Sequence, residues 1–599
     1  MTKSQKTATL LIALLAALPV WAIAYGLILQ FGFHDGRILA QMLKENPAAP
    51  FLQIWTYSGD AILQRIATLA LAPALLVSAA LLLAMTRREI LPFGDAKFQT
   101  APSLRQAGWF GKQGVYFGKF KGKFLRIEDD RHHMIIGPTR SGKGAGYVIP
   151  NALAHKGSMI VNDLKGEIFN LTAGYRAKTG NRVFLFSPGS ERSHRFNPLD
   201  FIRPGAGDRT TDIQNIAQIM IPKVEGDNAV WQGLAQQVLA GVISYIHESD
   251  RYKDRRSLPE VTSFFATGED LQEVMQKRVD AEPWLSKFTI ESFNRYIALN
   301  EKAARSALIE IDNALRPFQN EKIAAATLVT DLDIASIKRR PTTIYLAPNV
   351  NDVELLRPLL VLFIQQTLDL ITRAHDEKSL PILFLLDEFR QLKKMTEITS
   401  KLPYVAGYNV KFAFVIQDLK NLDEIYGETT RHSMLGNCGY QLVLGANDSA
   451  TAKYVSEALG KTTMTYWTES RSVQIIGLNN RSRLQQKRER DLLMPQEVRQ
   501  LPADDMILLA EGQGAIRGKK VRYFRQKPFK AWSDYAAKYV PVIPVLEALI
   551  GKAGIAKNAK DKKQGNPEVS ETELSTGIAD ASKLLATSNL IDPEKLTAI

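Results

Sequence analysis

The residues best equipped to do chemistry lie in three short stretches. The first is MIIGPTRSGKGAGYVIP, Met134 to Pro150, in which Gly137, Pro138, Thr139, Arg140, Ser141, Gly142, Lys143 and Gly144 spell the loop G-x-x-x-x-G-K and the residue after it. In a loop of this kind, backbone N–H groups and the N-terminus of the following helix hold phosphates, and the lysine reaches the terminal phosphates as a point charge. The full pattern asks for a hydroxyl after the lysine, to sit on Mg2+. Gly144 stands there instead. The second stretch is PILFLLDEF, an apolar run ending in Asp387 and Glu388. An acid at the carboxyl end of a buried strand can hold Mg2+ directly or through water, and its neighbour can polarise an attacking water if it lies within hydrogen-bond reach. The third is VKFAFVIQD, where Gln417 closes another apolar run. An amide in that place can sense a terminal phosphate or orient the water. The set asks for ATP and Mg2+ as cofactors, with Lys143, Asp387, Glu388 and Gln417 in catalysis and Asp387 as metal ligand. Each stretch alone also has a plainer reading: a chance glycine–lysine match, an acidic turn after a core strand, a strand end.

These residues need a scaffold, and the sequence describes one. Short apolar runs bounded by turn residues alternate with helical periods, which argues for a parallel sheet covered by helices, an α/β fold. Strands are expected at 134–136, 159–161, 183–186, 343–347, 382–386, 411–416 and 441–444, and a helix directly after Lys143. Between Pro204 and about Asp331 the alternation lapses. Trp231, Leu234, Val238, Val242 and Tyr245 share one helical face there, as do Ala304, Leu308, Ile311 and Leu315, so this region is read as an all-helical insert. His132 and His133, adjacent on a strand and facing opposite ways, are poor joint metal ligands and are read as structural. Trp231 is read as a core anchor of the insert rather than a platform for stacking bases.

Two stretches precede all this. Ala8 to Phe31 runs 24 residues without a charge and Ile66 to Met85 runs 20, and about twenty apolar residues cross a bilayer as a helix. Lys3 and Lys6 before the first span, and Arg87 and Arg88 after the second, place both ends in the cytoplasm with a short external loop. A cleaved signal peptide, ending near Ala22 to Ala24, is the rival reading of the first span. The expected organisation is a membrane anchor over 1–88, a nucleotide-binding motor over 89–204 and 332–545, the all-helical insert over 205–331, and a tail over 546–599 with a polar linker and one short helix, IADASKLLATS.

Composition narrows the partners. Cys438 is the only cysteine among 599 residues, which excludes an internal disulfide and a cysteine metal cluster. The net charge of +14 favours an anionic partner. From Arg471 to Lys530 there are fourteen Lys/Arg against six Asp/Glu, either a solvated basic face or a track for nucleic acid.

GPTRSGKG, VNDLKGE (Val161 to Glu167), FNPLD (Phe196 to Asp200), LLDEF, the VAGY…VIQ pair (Val405 to Gln417) and LGKTT (Leu459 to Thr463) together resemble the type IV coupling proteins, the TraG-type ATPases of conjugation and type IV secretion. The likeness runs from about Gly94 to Phe529, and relatives commonly carry glycine after the loop lysine. Mg2+ keeps several waters and needs few protein ligands, so a water can replace the missing hydroxyl. The resemblance implies a RecA-like P-loop fold with an all-helical insert behind two transmembrane helices, in the bacterial inner membrane with the bulk cytoplasmic. It implies Lys143 as the phosphate lysine, Asp387 as the metal acid, Glu388 as the hydrolytic carboxylate and Gln417 as the sensor, with Asp163, Lys165 and Glu167 as site support. It also implies a ring, a hexamer, in which a neighbour supplies a positive finger; Lys411 and Arg431 are the two candidates. The partners would be DNA with its relaxase, protein effectors or both, and the inner-membrane part of a type IV secretion channel. Two other readings stand beside it. One is a receptor that binds ATP without hydrolysing it; the other is a chromosome translocase of the FtsK kind, of which the usual four spans and terminal winged helix are not visible here. No LSGGQ-like signature of an ABC transporter occurs.

Overall fold

The computed structural model describes residues 3–86, 92–222, 229–376, 378–471 and 481–546. Arg87, Arg88 and residues 547–599, with the helix expected in the tail, lie outside them. The chain forms two compact units, Met1–Gly94 and Asp95–Ile599.

In the first unit the uncharged runs are the helices Lys3–Gly32 and Ala61–Thr86. Their apolar windows, Thr9–Gly32 and Ala61–Ala84, have mean hydropathies of 2.3 and 2.4, and 24 residues at 1.5 Å each reach about 36 Å, enough for the hydrocarbon core. They pack along each other through Tyr25, Leu29, Ile66 and Ala70. Trp21 Nε1 donates to the Ala67 carbonyl at 2.9 Å and Ser78 Oγ to that of Ala13 at 3.1 Å, side-chain bonds of the kind that join helices in lipid. Leu14, Leu15, Leu69, Leu75 and Leu76 face outward. The connecting segment is not a bare loop: it holds two short helices, Arg37–Lys44 and Ala49–Thr56.

The second unit is built on an eleven-stranded sheet. In chain order its strands are β1 (Val115–Phe120), β2 (Lys123–Ile127), β3 (His133–Ile136), β4 (Ser158–Asn162), β5 (Arg182–Phe186), β6 (Thr342–Leu346), β7 (Ile382–Leu386), β8 (Val410–Ile416) and β9 (Tyr440–Val443); after the separate ribbon β10 (Lys461–Arg471) and β11 (Arg481–Asp491) come β12 (Asp505–Ala510) and β13 (Ile516–Lys519). The spatial order is β2-β1-β13-β12-β9-β3-β8-β7-β4-β6-β5. The seven strands from β9 to β5 are parallel, and β12, β13, β1 and β2 continue the sheet antiparallel.

The parallel strands bury both faces, as such sheets must. Ile382, Phe384 and Leu386 of β7 point into one core, and Leu383 and Leu385 into the other. The first core is covered by helix Val353–Thr372, through Leu356, Leu359 and Phe363, and by the helical region. The second is covered by Ile149–Ala154, Glu167–Lys178 and Phe529–Lys538. Helix Val353–Thr372 is itself long and apolar enough to span a membrane, at mean hydropathy 1.4, yet Leu360, Leu362, Phe363 and Ile364 are fully buried against the sheet. It is a core helix.

From Ala206 to Ala326 every described element is helical. Val238, Val242, Tyr245, Ala304, Ile311 and Leu315 are buried, with Trp231, Leu234 and Leu308 partly so. These helices do not form a third compact unit; Ile213, Val238 and Ile311 belong to the same continuous core as Ile160 and Phe384 of the sheet.

The ribbon β10–β11 pairs Lys461 with Asp491 through to Arg471 with Arg481, and Thr462 at its base bridges to Asp95. Trp467 and Leu484 are 63% and 60% exposed on it.

Candidate nucleotide site

Topology brings the three stretches together. β3, β8 and β7 are neighbours, so Gly137, Gln417 and Asp387 follow the carboxyl ends of adjacent parallel strands, the edge where α/β sheets bind ligands. The Gly137 amide donates to the Ile416 carbonyl at 3.2 Å and fixes the loop to β8.

The loop's shape depends on its glycines. Gly142 has φ +93°, a backbone closed to most side chains. A Cβ on Gly137 would stand 2.5 Å from Ser141 Oγ. Arg140 takes φ +65° without being glycine, a local strain typical of ligand-gripping turns. The chain leaves the loop through a π-helical turn, Gly144–Val148, that becomes the α-helix Ile149–Ala154. The expected helix is present, though with a wider first turn, a form found often at functional sites. A Cβ at Gly144 would meet nothing within 4 Å, so packing does not demand glycine there.

Lys143 is buried, and its ammonium donates to the carbonyls of Gly137 at 2.6 Å and Pro138 at 3.2 Å. Burial lowers its proton affinity, while Glu388 and Asp387 act to raise it. Lysine and acidic pair therefore share one electrostatic site. The Asp387 carboxyl is pushed up to about 7, first by burial and then by repulsion from Glu388, against the pull of Lys143. Glu388 sits at φ +48°, ψ +48°, a left-handed turn that launches Phe389–Leu392. Its Oε2 accepts from Gln417 Nε2 at 3.2 Å. Both carboxyls act on Lys143 by charge, Glu388 the more strongly, and Glu388 alone of the two bonds the Gln417 amide.

Asp163 of DLKGE is buried and accepts from the Phe169 amide at 2.7 Å, holding the loop that leads into helix Glu167–Lys178. Burial raises its carboxyl to about 6. Lys165 and Glu167 are exposed beside it, and Lys165 acts on Lys143 by charge.

The geometry suits a magnesium nucleotide. Ser141 Oγ and Asn162 Oδ1 are buried without a partner among the described residues, which in a folded protein calls for an explanation. Asn162 Nδ2 meanwhile donates to the Asp387 carbonyl at 2.6 Å, tying β4 to the acidic turn. Asp387, with Asn162 beside it, would supply oxygen donors of the kind that Mg2+ takes. A carboxyl titrating near 7 also makes a prediction. Only the ionised form holds a cation, so Mg2+-dependent nucleotide binding should weaken about tenfold from pH 8 to pH 6, and Asp387→Asn should flatten that slope. Titration with a fluorescent nucleotide across this range reads the effect.

Other readings are corrected or refined. Lys411 is buried and donates to the Asp129 carbonyl. Arg431 is buried too and bonds Asp423 and Glu428, each at 3.1 Å. Neither projects from the protomer as a finger must. His132 accepts from the Phe412 amide on Nδ1 at 3.1 Å and meets the Leu402 carbonyl through Nε2 at 2.9 Å. His133 bonds the Tyr147 hydroxyl at 2.6 Å. Both are buried and structural. The basic stretch is not one track: it is divided among the ribbon, β13 and the flank of the phosphate loop. There Lys520 donates to the Ser141 carbonyl at 2.9 Å and to that of Leu444 at 2.6 Å. Sequence reasoning missed Lys520, Arg522 and Asn162. The only available signal was KKVR, two cations two apart in an extended segment after a strand.

A family model described as type IV secretory system conjugative DNA transfer matches residues 92–542. Protein VirD4 of Rhizobium rhizogenes is 29% identical over 464 residues, 75% of this chain and 67% of that protein. The match to VirD4 of Rhizobium radiobacter, at 30%, spans 64% of that relative's length. Conjugal transfer protein TraG of Escherichia coli is 31% identical over 473 residues, 72% of each chain. Among solved structures, the plasmid coupling protein TrwB in complex with ADP and Mg2+ aligns with a TM-score of 0.53 over 72% of this chain and 96% of that one. At 16% identity this likeness speaks to the fold. Sheet, loop and acidic turn thus sit in a familiar frame, and the chain belongs to the type IV coupling proteins, the TraG-type family of conjugation and type IV secretion.

Proposed function

We propose that the chain is an inner-membrane ATP hydrolase that recruits DNA–relaxase complexes, protein effectors or both, and passes them to a type IV secretion channel. The observation that carries this reading is the meeting of Lys143, Asp387, Glu388 and Gln417 at the ends of three adjacent parallel strands. Lys143 leaves the carbonyls of Gly137 and Pro138 for the terminal phosphates. Asp387 would hold the metal, which when bound would neutralise charge on the phosphates. Glu388, oriented by Gln417, accepts a proton from the attacking water. Asp163 braces the neighbouring loop. Identical subunits form a ring, a hexamer, the helical region receives the cargo, and two helices hold the assembly in the membrane. A basic surface would grip phosphate backbones without reading their sequence.

The test is ATP turnover by the full-length protein in detergent, with and without single- and double-stranded DNA, over a range of protein concentration. Hydrolysis that rises with subunit association and with DNA is expected. Gly144, which brings no hydroxyl to the metal, favours a second reading: a receptor that binds nucleotide only to stay assembled. Tight binding with negligible turnover at every concentration would establish that reading and remove the motor.

A further inference from the structure

Beyond β13 the segment Lys520–Val521–Arg522 runs extended beside the phosphate loop. Val521 is fully buried in the core, and its carbonyl stands 3.2 Å from where a Cβ on Gly146 would be. Its two neighbours face the other way. The Lys520 ammonium, on a residue only 6% exposed, bonds the carbonyls of Ser141 and Leu444. It therefore ties the loop after β3 to the loop after β9. Arg522 lies against Gly142, its Nη1 2.6 Å from where a Cβ would stand. Its Nη2 is held by Asp504 Oδ1 at 3.0 Å and the Ala503 carbonyl at 3.3 Å.

Two features of this arrangement ask for an anion. A buried ammonium is unfavourable unless paired, yet among the described residues no carboxylate forms an ion pair with Lys520; Asp505, the nearest acid on the facing strand, is taken by Arg517 and Lys519. The second is the peptide plane. Carbonyl and N–H of one trans peptide point in opposite directions, so drawing the Ser141 carbonyl out to Lys520 turns the Gly142 N–H away from Lys520. Asp504, by contrast, is 71% exposed and its pair with Arg522 is a surface one, readily exchanged for a better partner.

We propose that Lys520 and Arg522 form a second cationic wall of the phosphate cradle, supplied by the same subunit. Lys520 is a positioning residue that sets the Ser141–Gly142 peptide, and Arg522 is a direct contact that leaves Asp504 for the phosphates of the bound nucleotide. This rests on the nucleotide reading of the loop. It also predicts an alkaline limb. Burial, reinforced by Arg522 and opposed by Asp504 and Asp505, brings Lys520 down to about 8. Lys143 titrates on the inner side of the same loop and is common to wild type and variants.

The experiment measures binding of a fluorescent ATP analogue with Mg2+ to the full-length protein in detergent, from pH 7 to pH 9.5. Lys520→Met should raise Kd about tenfold or more at pH 7, the worth of a charge-assisted hydrogen bond, and should remove the part of the affinity loss that wild type shows near pH 8. Arg522→Gln should also raise Kd, whereas Asp504→Asn, which frees the guanidinium, should lower it. Melting temperature without nucleotide checks folding, and the Arg522 and Asp504 variants decide the matter should Lys520→Met fail to fold. Wild-type affinity and an unchanged alkaline limb in Lys520→Met, or weaker binding in Asp504→Asn, would overturn the second wall. A wild type that binds no nucleotide would instead overturn the reading of the loop itself.

Discussion

Lys143→Ala should leave a folded protein whose ATP turnover is down at least about a hundredfold, the scale at which a preorganised cation acts on a transferring phosphoryl group. The fold should survive because the side chain bonds only the loop that carries it, through the carbonyls of Gly137 and Pro138, while the cores on both faces of the sheet lie elsewhere. A second consequence follows from charge. Lys143, ahead of a hydrogen bond from the Glu388 backbone, holds the Asp387 carboxyl down against burial and the Glu388 charge. Without it that carboxyl rises further, so the acid limb of metal-dependent binding should move to higher pH. Turnover and the pH dependence of nucleotide binding, measured on the same preparation, check both effects. Turnover equal to wild type would remove the lysine from the chemistry.

Glu388→Gln should separate binding from hydrolysis. The replacement keeps size and shape, and the left-handed turn at position 388 carries the same backbone strain in either case. Glutamine cannot take a proton from water. Turnover should fall by about 10²–10⁴, the usual contribution of a positioned general base, while nucleotide affinity stays within a few-fold of wild type. Removing one of two adjacent carboxyls also relieves the repulsion that raises Asp387, so metal binding in the variant should persist to lower pH. A single-turnover assay with filter binding distinguishes the outcomes; hydrolysis at the wild-type rate would assign the base to another group.

The parts of this fold that the sequence announced share a physical cause. Seven strands were legible because their runs are largely apolar, six of them lying inside the sheet and β5 half-buried at its edge, and each lies within two residues of its expected place. The strand–loop–helix around Lys143 and the acidic end of β7 were legible for the same reason, since chemistry there is attached to the ends of such runs. What escaped lies at the antiparallel end. VYFGKF, KFLRI and IRGK mix glycine and charge with apolar residues because neighbouring strands and Met506 press close against Gly118 and Gly518, and nothing in their composition separates them from loops. The ribbon escaped because it buries little: Met464, Trp467 and Leu484 are exposed. Lys411 and Arg431 looked available as fingers because sequence shows charge and not its partners. Lys520 was counted into a basic surface for that same reason, although its ammonium is turned inward onto the Ser141 carbonyl.

The common core of sheet and helical region has a mechanical corollary. Ile213, Val238 and Ile311 belong to one continuous core with Ile160 and Phe384, and close-packed interiors are stiff and transmit strain rather than absorb it. Among the described residues, that core runs without a break from the helices that would meet a cargo to the strands that end in Gly137, Asp387 and Gln417. A tug on those helices should therefore reach the reactive edge as a displacement of whole elements, and a change at that edge should travel back the same way, as along a lever.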